Sequence, residues 1–63
     1  MIHLTIAHPL DGESSDLRLL RDNVIYIAPR GGGFPGTIIM ATSGVMKIVR
    51  ENIDQVEALI DNG

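Results

Sequence analysis

The sequence predicts an α+β fold: a small antiparallel β-meander of four to five strands with one C-terminal helix packed on the sheet or on a neighbouring subunit. Three observations lead there. Short runs of Ile, Val, Leu and Met recur along the first fifty residues, set apart by Gly, Pro, Ser and Asp. Only after them does the apolar spacing change from a strand-like to a helical period. The 63 residues suffice for one small domain, residues 1–63, with no room for a second.

In "MIHLTIA" the apolar Ile2, Leu4 and Ile6 alternate with His3 and Thr5, which predicts a half-buried strand over residues 1–7. "HPLDGESSD" gathers Pro9, Asp11, Gly12, Ser14, Ser15 and Asp16, the chemistry of turns and mobile loops. "LRLL", "NVIYIA", "GTIIMAT" and "VMKIV" read as four more strands, rich in β-branched and long aliphatic residues. The first two are divided by the weakly marked turn "LRDN", so residues 17–28 also fit one longer bent strand. Ser43-Gly44 is a firmer turn, because glycine takes a positive φ without steric cost. Strands 36–42 and 45–49 are therefore expected to pair antiparallel.

The last segment, "ENIDQVEALIDNG", places Ile53, Val56, Leu59 and Ile60 on one helical face and Asp54, Gln55, Glu57 and Asp61 elsewhere. Asn52 suits the N-cap, Gln55 completes a capping box, and Asp54 puts negative charge near the positive end of the helix dipole. Asn62-Gly63 supplies a stop. A helix of roughly ten residues does not persist alone in water, so its apolar face must dock on the sheet or on another subunit.

Composition limits the functions open to the chain. A domain this small buries only about 60% of the surface its unfolded chain exposes. There is no cysteine to add a disulfide or a thiolate metal site, so self-association is the expected additional source of stability. Aromatics make up 3% of residues, which leaves the core to branched aliphatics. The net charge of −3 opposes nonspecific attraction to phosphate backbones and anionic membranes, and it is spread over both halves of the chain. The longest apolar run, "VIYIA", has five residues, and the N-terminus carries no signal-peptide pattern. A cytoplasmic protein without membrane insertion is expected.

Gly31, Gly33 and Gly36 stand at the spacing G-x-G-x-x-G within "APRGGGFPGTII". A dinucleotide cradle needs a helix N-terminus after those glycines, where free amides meet a pyrophosphate. Here the β-branched "TIIMAT" follows, Pro35 lacks an amide donor, and no phosphate-loop lysine is present. The segment reads as a flexible connection between strands, ended and restarted by Pro29 and Pro35. Phe34, the one phenylalanine, either folds back over the small core or anchors a partner.

No other chemistry assembles in the sequence. His3 and His8 could join Asp11 or Glu13 around a metal only through the Pro9 loop, because five residues apart on one strand they point to opposite faces. A surface histidine pair is the simpler reading. Ser14, Ser15 and Ser43 have no base nearby in sequence, and Arg18, Arg21, Lys47, Arg50 and Glu51 read as a solvated surface. No cofactor, no metal and no enzymatic activity are expected.

Taken together, "MIHLT", the polar "DG" turn, the paired strands and "GTIIMATSGVMKIVRENIDQVEALI" resemble the FlbD/SwrD family of small flagellar proteins. The matching positions are Met1, Ile2, Leu4, Thr5, Thr37, Ile38, Ile39, Ser43, Gly44, Val49, Glu51, Val56 and Ile60. The chain departs from that pattern in "HPLDGESSDL" and "PRGGGFPG". The resemblance implies a nonenzymatic accessory protein acting on motor output or flagellar gene expression; a phage-encoded protein that binds a host protein fits the same features. The expected function is thus a homo-oligomeric interaction or regulatory module that meets itself and another protein. Its candidate interface residues are Phe34, Ile53, Val56, Leu59 and Ile60. The alternative is a small β nucleic-acid-binding or transcription-modulating protein using Arg18, Arg21, Arg30, Lys47 and Arg50.

Overall fold

Period-two alternation sends Ile2 and Leu4 to one side of β1 (Ile2–Thr5), where both are buried. In the computed structural model, which describes residues 1–62, β1 is followed by β2 (Asp16–Leu19), a 3₁₀ turn over Arg21–Asn23 and β3 (Val24–Pro29). Then come β4 (Thr37–Ala41), β5 (Met46–Val49) and α1 (Ile53–Asn62). The protein is α+β, with five strands and one C-terminal helix among the described residues. The turn at Arg21–Asn23 makes separate strands of β2 and β3, which rules out one bent strand over 17–28.

All pairings are antiparallel, but the strands form two sheets rather than one meander. β1 pairs with β2, and the second sheet runs β3-β4-β5. The reason lies at the end of the first strand. The alternation predicts a strand to residue 7, yet beyond Thr5 the chain makes only one isolated bridge, Ile6 to Val49, before Pro9 removes a further donor. Around that bridge the amide of Ala7 donates to the Ile48 carbonyl at 2.9 Å and that of Arg50 to the Thr5 carbonyl at 2.8 Å. The sheets are thereby stitched at one point, and their inner faces close on a shared core of Ile2, Leu4, Ile39, Val49 and Val56.

The β4–β5 hairpin follows from Gly44, whose φ of 86° lets the chain reverse. Ala41 and Val45 flank a three-residue loop, with the Ala41 amide donating to Val45 at 3.0 Å and the Gly44 amide to Ala41 at 2.9 Å. α1 begins with the reciprocal cap that its sequence announces. Asn52 Oδ1 accepts from the Gln55 amide at 2.8 Å and Gln55 Oε1 from the Asn52 amide at 2.9 Å. Val56 is fully buried against the strands, so α1 packs on the chain's own sheets. Helical structure continues through Asn62, and the Gly63 half of the expected stop lies outside the described residues.

Candidate functional site

The register of β3-β4-β5 sorts its side chains into two faces. Thr37, Ile39 and Ala41 of β4 are buried, and opposite them on β5 stand Val49 and Lys47. Ile38 and Met40 therefore point away from the core, as do their partners Ile48 and Met46 on β5 and Ala28 and Tyr26 on β3. The outer face is thus two cross-strand rows, Ala28-Ile38-Ile48 and Tyr26-Met40-Met46, with no charged side chain. Tyr26 is 46% exposed and Met46 54%, and the Tyr26 hydroxyl leans on Met46 Sδ at 3.9 Å. Ile25, thrust out by the register shift between Val24 and Tyr26, adds another exposed aliphatic at the open edge of β3.

Polarity is inverted between the faces. The inner face holds the polar groups, each with a partner. The Thr37 hydroxyl, fully buried, donates to the Glu51 carbonyl at 2.8 Å, and Lys47 Nζ reaches Glu13 Oε2 at 2.9 Å. Glu51 also accepts the Thr5 amide at 2.9 Å through its carboxylate. Lys47 and Glu51 are consequently structural groups rather than parts of a solvated surface. Their role is invisible in sequence, because the partners lie 34 and 46 residues away. Lys47 holds the Glu13 carboxyl below its ordinary range by its hydrogen bond, helped by the Leu10 amide. Glu13 thus pins the 8–15 loop.

Between β2 and the β4–β5 hairpin, Leu17, Leu19, Ile39, Ala41 and Val45 line a small apolar cleft of about 170 Å³. A second hollow, of about 340 Å³, opens where the end of β1, the β3–β4 loop and the end of β5 meet; Ala7, His8, Arg30, Pro35 and Arg50 line it. Gly36 leads into β4 and not into a helix, so its loop connects strands and lacks the setting of a pyrophosphate cradle. Among the described residues no three His, Asp or Glu side chains converge as a metal site.

The candidate interface residues divide. Phe34 is 65% exposed and sits under the Arg30 guanidinium at 5.2 Å, so it does not fold back over the core. Ile53 and Ile60 are half-buried and Leu59 is 39% exposed. Val56 must be withdrawn from the interface. It lies at the centre of the helical face that docks on the strands and is spent on the chain's own core, whereas Leu59 falls at the edge of that face. Sequence reading missed the outer sheet face, although the unbroken apolar runs "VIYIA" and "TIIMA" were its signal, since a strand with one wet face should alternate.

The five basic residues are scattered over the chain. Arg18 is paired with Asp16 at 3.0 Å on exposed β2, Arg21 is on the 3₁₀ turn, and Lys47 is held by Glu13. Only Arg30 and Arg50 share a hollow. Comparison with protein-family models, curated proteins and solved structures finds no match for this chain. No helix among the described residues is long and apolar enough to cross a membrane.

Proposed function

We propose that this chain is a nonenzymatic, self-associating interaction module, and that the outer face of β3-β4-β5 packs against the same face of a second copy. The supporting observation is the charge-free grid of Tyr26, Ala28, Ile38, Met40, Met46 and Ile48. A two-fold dimer presents one patch to itself, so a patch with no charge meets no like-charge conflict, even though each chain carries a net charge of −3. Two such sheets stack at about 10 Å with their side chains interleaved. Each large side chain among the six contributes up to roughly 1.5–3 kcal/mol on leaving water completely.

A flagellar accessory role of the FlbD/SwrD kind, or a phage-encoded role on a host protein, is the setting proposed for the module. Self-pairing would present two copies of Phe34, Leu59 and the remaining surface to that partner. Light scattering at micromolar concentration tests the reading. The expected mass is that of two chains, and the double variant Tyr26→Lys/Met46→Lys should have the mass of one, with unchanged circular dichroism and a cooperative melt. A wild-type monomer at several hundred micromolar overturns the proposal, as does a dimer that survives both lysines.

A further inference from the structure

We infer that the hollow lined by His8, Arg30 and Arg50 is a binding site for a phosphate monoester, whose phosphoryl group sits between the two guanidinium groups. The three side chains come from separate segments, 22 and 20 residues apart, and the fold brings them to one opening. Among the described residues the ion pairs are Arg18 with Asp16 and Lys47 with Glu13, so no carboxylate neutralises Arg30 or Arg50. In a chain with eight acidic and five basic residues, two uncompensated guanidinium groups around one hollow are a local excess of positive charge. Two such charges match a dianion, and the planar fork of each matches a pair of phosphate oxygens.

Arg30 is positioned before any ligand arrives. It is half-buried, its guanidinium lies over the Phe34 ring, and its amide donates to the Gly36 carbonyl at 3.2 Å. The Arg50 backbone is fixed by its bond to Thr5. Ala7 and Pro35 supply apolar wall beside the cations, and about 340 Å³ exceeds what a bare phosphate fills. Those walls favour an ester with a small organic body over the inorganic ion. The source of the ester is either a free small molecule or a phosphorylated side chain, and one phosphoryl chemistry serves both.

The test is a nuclear magnetic resonance titration of the full chain, following backbone amides, with phenyl phosphate, inorganic phosphate and a phosphoserine peptide. Saturable shifts confined to residues around His8, Arg30, Gly36 and Arg50 are expected, with phenyl phosphate tighter than inorganic phosphate. A peptide that binds tighter still assigns the ester to a protein side chain. Arg30→Gln and Arg50→Gln should each weaken binding about tenfold or more, because each removes charge-assisted hydrogen bonds. Arg21→Gln should leave it unchanged. Absence of saturable shifts at 10 mM phenyl phosphate (a concentration about tenfold above a Kd of ~1 mM), or equal losses in all three variants, overturns the site. The readout is local to the hollow, so failure of self-association leaves it interpretable.

Discussion

The two faces of the β3-β4-β5 sheet are built from similar aliphatic residues and meet opposite fates. Ile39 is 2% exposed and Val49 fully buried, while Tyr26 and Met46, on the other side of the same strands, have about half their surface in water. The inner face even holds more polar groups, Thr37 and Lys47, than the outer one, which holds only the Tyr26 hydroxyl. What separates them is a second layer. β1, β2 and α1 pack against the inner face, whereas on the outer one Tyr26 and Met46 stay exposed and Ala28, Ile38, Met40 and Ile48 are only half-buried. Hydrophobicity alone therefore does not select a core; a core needs a second layer that the fold brings over it, however distant in the chain.

Adjacent residues of β4 give the sharpest way to break this comparison. Ile39→Lys places an unpaired charge in the core, a cost of more than about 4 kcal/mol. Native domains hold only roughly 0.05–0.15 kcal/mol per residue, about 3–9 kcal/mol for a chain this short, so urea titration should find most or all of the stability gone. Ile38→Lys, one residue earlier and on the opposite face, should keep the fold and lower the mass measured by light scattering. If both variants unfold, the outer face belongs to the core of the monomer and the distinction fails.

A smaller effect tests the polar side of the inner face. Thr37→Val keeps the shape but leaves the Glu51 carbonyl without its donor, a destabilisation of about 1–3 kcal/mol readable as a lower urea midpoint. Asn52→Ala removes the side-chain half of the capping box, at about 1 kcal/mol, and should loosen the first turn of α1 in hydrogen exchange without altering the mass.

The smallest effect depends on pH. The Glu13 carboxyl titrates below its ordinary value because Lys47 and then the Leu10 amide favour its charged form. Its contribution to stability is complete above the ordinary carboxylate range and is lost as pH falls through the lowered value. The gap in melting temperature between wild type and Glu13→Gln should therefore narrow on acidification, and a gap independent of pH would remove Glu13 as the pin of its loop.

Much of this architecture was legible in local chemistry. Alternation marked β1, Gly44 marked the β4–β5 turn, and Asn52 with Gln55 marked the start of α1; in each case the cause and the effect lie within a few residues. The split into two sheets was not legible, because it depends on the single Ile6–Val49 bridge across 43 residues. Nor was the basic hollow, whose Arg30 and Arg50 become neighbours only once register is set. Spacing places Leu59 on the same helical face as Val56, but only docking decides that Val56 is its buried centre and Leu59, 39% exposed, its edge.

Gly36 has a φ of 115°, and a β carbon there would stand 2.5 Å from the Val49 carbonyl oxygen. Its neighbours Gly31 and Gly33 also have positive φ, yet a methyl group on either would meet open space. Position 36 accordingly tolerates one amino acid, while the loop tip can accept Asn or Asp at modest strain. The tip at Gly31 and Gly33 can thus change in sequence without disturbing the sheets, provided the joint at Gly36 that seats the loop on β5 stays bare.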